Sequence, residues 1–187
     1  QLIVMTQFCR KVGIPYDVYT FTTGRHVEEN IIDRNVTTND MMLVNVLSSS
    51  AKRNDQDTDI KHLFFAANGL QRYGCSPGTP YLAMGGTPLN NVLTIMPRII
   101  SDFKQRTRSQ KVSFVCLTDG ESGSLSFYRP SEREYTTHLP YYVYWDRVLL
   151  RDGHNIVDLG LHMGMTGRLA KWIGDMDGVT VTNIYIG

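Results

Sequence analysis

The chain has 187 residues, of which 42% are hydrophobic and 20% charged, and its formal net charge is +1. This length and composition can bury a core of single-domain size, and the balanced charge excludes a global attraction to nucleic acid or to an anionic membrane. Three widely spaced cysteines, an odd number, are typical of reduced thiols in a cytoplasmic protein. The sequence has neither an apolar run of transmembrane length nor a signal-peptide pattern at its start, so no membrane partner is predicted.

The two termini carry regular patterns. Apolar residues recur at helical spacing from Leu2 to Val12, and Gly13 is well placed to end that helix. At the other end, "VTVTNIYIG" predicts a strand over 179–186. Because regular structure starts at the first residue and runs to the last, we expect residues 1–187 to form a single domain that is incomplete at the N-terminus and also at the C-terminus.

The first half of the chain predicts alternating strands and helices. Strands are expected over 16–22 and 41–48, joined by a long polar connection. The stretch "KRNDQDTD" is interpreted as a charged loop, followed by a short helix from Ile60 that Gly69 ends. Residues 71–86, rich in glycine and proline, are expected to be irregular.

The clearest helix follows this irregular region. Thr87 is predicted as its N-cap and Pro88 as its first residue, with a kink at Pro97. The apolar stripe of this helix comprises Leu89, Val92, Leu93, Met96, Ile99, Ile100 and Phe103. Basic residues gather at its end, where cations complement the helix dipole, and this reading is preferred to a nucleic-acid patch.

The stretch "VSFVCLTDGES" predicts a strand over 112–118 that is covered on both faces, as in a parallel sheet flanked by helices. Asp119 follows the carboxyl end of this strand. Ligands of open α/β sheets bind at that edge, so Asp119 is a candidate site residue.

Two segments carry a resemblance to a known family. "GGTPLNNVL" and "FVCLTDGES" resemble the second and third motifs of the metal-ion-dependent adhesion site of a von Willebrand factor A (vWA) domain. Together with "FCRKVGIPYDVYTFTT" and the order of elements, they are similar to the vWA domain of the CobT-like, cobaltochelatase-subunit-like family, which includes phage-encoded relatives. The resemblance implies an α/β, Rossmann-like three-layer fold with a central, mostly parallel sheet.

The same resemblance implies a Mg²⁺ site. Thr87 and Asp119 match the metal-binding threonine and aspartate, and Thr118, the Gly86 backbone and Glu121 are candidates for supporting those ligands. The first motif of the family, Asp-x-Ser-x-Ser, would precede Gln1, so we expect weak or absent metal in this chain. Hard cations such as Mg²⁺ prefer oxygen ligands, and a site with few carboxylates leaves room for an acidic group from a partner.

Residues 122–162 depart from the family pattern and are interpreted as an insertion. They contain two predicted strands near 142–159 around Arg151-Asp152-Gly153-His154, a hairpin signal. The aromatic residues of Tyr141–Trp145 fit packing on the sheet better than a partner surface. Met165, Leu169, Trp172 and Ile173 then predict a short amphipathic helix.

The function implied by the resemblance is a metal-assisted binding module that engages a MoxR-type AAA+ ATPase or a carboxylate-bearing client. Two alternatives stay open: a metal-dependent enzyme, such as a chelatase subunit or hydrolase using Asp119, Glu121 and a histidine, and a structural part of a large assembly with a degenerate metal site. The five histidines show no zinc-site spacing, Cys75 has no neighbouring base, and the glycine-rich stretches lack the Gly-Lys-Ser/Thr of a phosphate loop.

Overall fold

The computed structural model describes residues 2–23, 41–73, 86–118, 122, 125–129, 139–142, 149–152, 155–159 and 164–185. The chain divides into two compact units. The first comprises Gln1–Thr22 and Met42–Gly85, and the second comprises Thr23–Met41 and Gly86–Gly187. Each unit is described separately.

The described residues of the first unit form two helices and one antiparallel pair of strands. Its elements in chain order are α1 (Leu2–Val12), β1 (Asp17–Thr22), β2 (Met42–Ser48) and α2 (Arg53–Tyr73). A register shift between Val18 and Tyr19 marks a bulge in the β1–β2 pair. Both predicted strands are confirmed, each starting one residue later than expected.

Helix α1 ends as its sequence predicts. Gly13 has a φ of 73°, in the left-handed region that glycine enters without a steric penalty. The N–H of Ile14 donates to the carbonyl of Cys9 at 2.9 Å. Of the two hydrogen bonds of a Schellman motif, this is the one that spans more residues. The chain therefore turns out of α1 by a local backbone signal.

Helix α2 corrects two predictions. It begins at Arg53, so most of the stretch interpreted as a charged loop is helical, and it continues through Gly69 to Tyr73. Asp55 lies in its first turn, where a carboxylate complements the helix dipole. Gln56 also reaches back, because its Nε2 donates to the carbonyl of Ala51 at 2.7 Å. The charged residues at the start of α2 have the composition of a loop, although they are helical.

Polar contacts connect α1 with α2. Nη1 of Arg10 lies 2.5 Å from Oδ1 of Asp57, and this hydrogen bond lowers the pKa of the Asp57 carboxyl below its ordinary value. The buried hydroxyl of Tyr16 donates to Oε1 of Gln56 at 3.3 Å, and burial raises the pKa of that phenol. On α1, Val4 and Phe8 are mostly exposed.

In the second unit, the residues that the structure describes form two helices and three strand pairs. Its elements are α3 (Leu89–Thr107), β3 (Val112–Thr118), β4 (Ser126–Arg129), β5 (Leu139–Tyr142), β6 (Leu149–Asp152), β7 (Asn155–Asp158), α4 (Met165–Gly174) and β8 (Val179–Tyr185). Strands β3 and β8 are parallel, with Val112 opposite Val179 and Thr118 opposite Tyr185. Helices, strands and this parallel pair make the chain an α/β protein, as predicted.

The two hairpins of this unit lie in the segment interpreted as an insertion. Strands β6 and β7 pair antiparallel with Asp152 opposite Asn155, which confirms the predicted hairpin around the Asp-Gly signal. The pair β4–β5 was not predicted. Its two strands of four residues are separated by a charged stretch with no short turn signal, so neighbouring residues give no indication of the pairing.

The core of this unit lies where α3 packs against α4, and α4 also packs against β7 and β8. The four apolar residues that predicted α4 are all buried, and Leu89 and Leu93 of α3 are at most 1% exposed. Strand β3 is less covered than expected: Cys116 and Thr118 are buried, while Ser113 is exposed. Among the described strands, only β8 pairs with β3, which leaves its other edge uncovered by them.

The turn before β8 fits closely against the start of β3. Gly178 has a φ of 68°, and a Cβ atom there would lie 2.2 Å from the backbone oxygen of Gln110. The carbonyl of Gly178 accepts a hydrogen bond from the N–H of Val112 at 2.8 Å. Nζ of Lys104, near the end of α3, donates to the carbonyl of Asp177. This approach of two backbones leaves room only for glycine.

None of the helices in the part of the chain that the structure describes combines the length and the apolar character needed to cross a membrane.

Candidate functional site

The start of α3 is one residue later than the sequence predicts. The first helical residue is Leu89, and Pro88 occupies the cap position with φ −79° and ψ 47°. No side chain caps the helix from that position, so the prediction of Thr87 as N-cap is wrong. A residue before proline is biased away from helical geometry, which is consistent with a start after Pro88. The first bond of the helix runs from the N–H of Val92 to the carbonyl of Pro88.

A distant residue instead satisfies the first turn of α3. The N–H of Asn90 donates to Oγ of Ser122 at 2.8 Å. The first N–H groups of a helix lack partners within the helix, and a serine hydroxyl is a preferred acceptor for them. Ser122 follows the end of β3 by four residues. The bond therefore brings Ser122 to the start of α3, although the two residues are 32 positions apart.

Helix α4 also contacts the first turn of α3. Oγ1 of Thr166, the second residue of α4, donates to Oδ1 of Asn90 at 2.7 Å. Asn90 is 4% exposed and Asn91 is 3% exposed. Buried amides need hydrogen-bond partners, and Asn90 finds one on each side, through its backbone and through its side chain. Asn90 thus joins α3, α4 and the segment after β3.

The loop before α3 is held by a further hydroxyl. The N–H of Gly86 donates to Oγ1 of Thr23 at 2.9 Å. A Cβ atom on Gly86 would lie 2.9 Å from Cγ2 of Thr23, so a larger residue would have to push that methyl group aside. Gly86 is exposed and Thr87 is half-buried. The glycine therefore permits the close approach that fixes the backbone next to Thr87.

The remaining predicted site residues lie at and beyond the end of β3. Thr118 is the last residue of β3 and is 6% exposed. Asp119 and Glu121 lie outside the described residues, so their placement near Thr87 stays a prediction. The structure brings Gly86, Thr87 and Ser122 to the start of α3, and it places Thr118 four residues before Ser122.

Backbone groups contribute a partial positive charge at the starts of α3 and α4. The first turns of both helices contain no acidic residue, so this charge, which disfavours a cation, is not offset from within either helix. Oxygen atoms of Thr87, Thr118 and Ser122 are the hard donors that Mg²⁺ prefers. Hydroxyls alone leave a divalent cation undercharged, so carboxylates would be required beside them. A Mg²⁺ site that includes Asp119 therefore stays a prediction.

In the described part of the chain, no three His, Cys, Asp or Glu side chains form a cluster that could hold a metal ion of any kind. Cys116 is buried on β3, and burial raises the pKa of its thiol, which lowers its thiolate fraction and thus its nucleophilicity. Cys75 and the glycines of 74–85 lie outside the described residues.

Sequence reasoning missed Thr23, Asn90, Ser122 and Thr166. Ser122 lies within the segment "FVCLTDGES", where its hydroxyl indicates a hydrogen-bonding residue next to the end of β3. Asn90 follows the Thr-Pro pair within "GGTPLNNVL", where a polar residue on an otherwise apolar stripe indicates a buried partner. Thr23 and Thr166 carry no local signal, because their partners lie 63 and 76 positions away.

Comparison of the chain with protein-family models, with curated proteins and with solved structures finds no match.

Proposed function

We propose that the chain is part of a Mg²⁺-assisted protein-binding module similar to the vWA subunits of the CobT-like family. The observation that carries this proposal is the bond between Asn90 and Ser122, because it joins the two motif segments on which the resemblance rests. The parallel pair β3–β8 supports the finer proposal of a Rossmann-like, three-layer vWA fold whose ligand edge lies beyond Thr118.

In this proposal the Thr87 hydroxyl would bind Mg²⁺ directly and the Asp119 carboxylate would hold it through water. Gly86, Thr118 and Glu121 orient these two ligands from behind. A bound Mg²⁺ supplies an electrophilic centre for a carboxylate of the partner. Few acidic ligands from this chain leave the ion with residual positive charge, which gives it affinity for an acidic side chain brought by another protein.

The proposed partner is a MoxR-type AAA+ ATPase or a carboxylate-bearing client, in a cytoplasmic setting. Nucleic acid is not proposed, because the net charge is +1 and the basic residues gather at the far end of α3, where they complement the helix dipole. ATP hydrolysis, if coupled to this module, would belong to the ATPase.

The test uses the protein immobilised and presented with a MoxR-type ATPase. We expect retention of the ATPase in Mg²⁺ and its loss in EDTA, in Thr87→Ala and in Asp119→Ala. Thr94→Ala and Asp102→Ala are the matched controls on α3. The Thr94 hydroxyl bonds only within the helix, to the carbonyl of Asn91, and Asp102 is exposed. Retention that is equal in Mg²⁺ and EDTA would contradict the metal-assisted function.

A further inference from the structure

We infer that the outer edge of β8 and the neighbouring face of α4 bind a second copy of this chain. Strand β8 pairs with β3 on one side, and no other strand in the described part of the chain pairs with it. An open groove of about 470 Å³ lies beside this outer edge, and both α4 and β8 line it. The edge of a sheet is a template for a further strand. This inference goes beyond the proposed function and does not depend on the Mg²⁺ site.

The register of the β3–β8 pair shows which backbone groups of β8 face outward. The N–H of Val112 donates to the carbonyl of Gly178, although the residue opposite Val112 is Val179. Successive residues of a strand direct their backbone groups to opposite edges, so Val179 directs its N–H and its carbonyl away from β3. The same alternation directs the backbone groups of Val181 and Asn183 to the outer edge.

These outward groups are complementary to the same groups of an antiparallel second copy. With a two-fold axis beside Val181, the N–H of Val181 donates to the Val181 carbonyl of the second copy, and the reverse bond forms as well. The N–H of Asn183 then donates to the Val179 carbonyl of the second copy. The Val179 N–H is not needed, because it already donates to the carbonyl of Met176 at 3.2 Å. A contact that uses the same surface on both copies closes at a dimer.

The face of α4 beside this edge leaves room for the helix of the second copy. Ala170 and Gly174 are four positions apart, so they lie on one face of the helix, and both line the groove. A Cβ atom on Gly174 would lie 3.8 Å from Cγ2 of Val181, which places Gly174 close to the proposed two-fold axis. In the joined sheet the centres of the two strand pairs are about 10 Å apart, which is a spacing at which helices pack.

The charges beside the groove are also self-complementary. Lys171 and Asp175 line the groove and form an exposed ion pair at 2.7 Å within α4. Across a two-fold axis the two copies of α4 run antiparallel, so Lys171 of each copy faces Asp175 of the other. An exposed pair contributes little on its own, so these side chains can contact the second copy at small cost. Charge complementarity and the outward backbone groups together select a second copy as the occupant of the groove.

Sedimentation equilibrium of the protein over a range of concentrations tests this interface, and the wild-type protein should form a dimer. Lys171→Glu places carboxylates opposite carboxylates, and Asp175→Lys places ammonium groups opposite ammonium groups, so each variant should dimerise about tenfold more weakly. An equimolar mixture of the two variants should recover the dimer, because opposite charges then face each other. Arg98→Glu is the matched control, since Arg98 is an exposed residue of α3 outside the groove, and it should leave dimerisation unchanged.

Hydrogen exchange examines the strand contact directly. The Val181 and Asn183 amides should exchange more slowly as the protein concentration rises. Val181→Pro removes an outward N–H, spares the bonds between β3 and β8, and should give monomers. Should Val181→Pro not fold, the charge variants and their mixture give the answer. A wild-type monomer at every concentration overturns the inference, and so does a monomer in which another segment protects these amides. A dimer that both charge variants leave unchanged overturns it as well, because its interface then lies elsewhere.

Discussion

The two ends of α3 are built in different ways. At the C-terminal end, Arg108 adopts a left-handed conformation with φ 55°, and the N–H of Ser109 donates to the carbonyl of Lys104 at 3.2 Å. At the N-terminal end, the bonds come from Ser122 and Thr166, which are far away in sequence. The C-terminal end is closed by its own backbone and also contacts Asp177 through Lys104, whereas the bonds at the N-terminal end come from side chains of other parts of the chain.

The two ends therefore depend on different things: the backbone of the C-terminal end depends on the local sequence, and the N-terminal end depends on the packing of other elements. A helix end closed by its own backbone forms wherever the local sequence allows it. A helix end completed by distant hydroxyls forms only when those elements are already packed, and it fixes their relative positions in return. The N-terminal end is therefore the better place for a site whose ligands come from several segments. Four predictions test this contrast.

The largest effect is expected at the backbone contact beyond the C-terminal end. Gly178→Ala should destabilise the protein by about 2–4 kcal/mol, because a left-handed alanine is strained and its Cβ would collide with the carbonyl oxygen of Gln110. Gly167→Ala is the control, since a Cβ in this helical position of α4 meets nothing within 4 Å. The control should stabilise by about 0.5–1 kcal/mol. Urea unfolding of both variants measures the difference, and equal midpoints would contradict the tight contact.

The second effect is expected at the N-terminal end. Asn90→Ala removes a buried amide and should cost about 1–3 kcal/mol, since the Thr166 hydroxyl loses its acceptor. Asn68→Ala removes an amide that donates only to the carbonyl of Phe64 within α2, in an exposed position, and should be close to neutral. If both variants shift the thermal unfolding temperature by the same amount, the contact between Asn90 and α4 does not stabilise the protein.

A smaller effect is expected for the hydroxyl that completes the first turn. Ser122→Ala should destabilise by about 0.5–2 kcal/mol, the range for loss of a capping hydroxyl. Ser101→Ala serves as control, because that hydroxyl donates to the carbonyl of Pro97 inside the same helix and alanine has the higher helix propensity. Hydrogen exchange of the Asn90 amide should accelerate only in Ser122→Ala. Unchanged exchange there would show that Ser122 does not hold the amide.

The smallest effect has the opposite sign. Arg108→Gly should stabilise the protein by up to about 1 kcal/mol, because glycine adopts the left-handed conformation without the steric cost that arginine meets. Arg106→Gly lies inside the last turn of α3 and should destabilise by about 1 kcal/mol. The two arginines thus give opposite shifts in denaturant midpoint, and a destabilised Arg108→Gly would mean that the arginine side chain contributes contacts of its own.

The sequence predicted those features that depend on neighbouring residues. Gly13 identified the end of α1, the buried face of α4 was read residue by residue, and β3 was placed over 112–118. The Asp-Gly signal located the β6–β7 hairpin for the same reason. In each case the determining interaction spans a few positions, so a pattern in the sequence records it.

Predictions went wrong where a local pattern has two readings. The charged start of α2 resembles a loop in composition, yet acidic residues also favour the first turn of a helix. Thr-Pro resembles a capped helix start, but the acceptor for the first turn came from Ser122. Of the candidate site, the sequence indicated the two segments, while the hydroxyls of Thr23 and Thr166 follow only from the packing of the chain.

The buried thiol of Cys116 can report local opening of β3. Burial raises the pKa of this thiol, so both its exposure and its thiolate fraction are low in the folded state. An alkylating reagent can then modify Cys116 only when local opening exposes the thiol, while Cys9 on α1 is partly accessible throughout. In a protein that keeps Cys116 as its single cysteine, and with fast reclosing, the labelling rate would equal the equilibrium constant of that opening multiplied by the intrinsic rate of the reagent. Labelling of Cys116 would thus measure the local unfolding of β3.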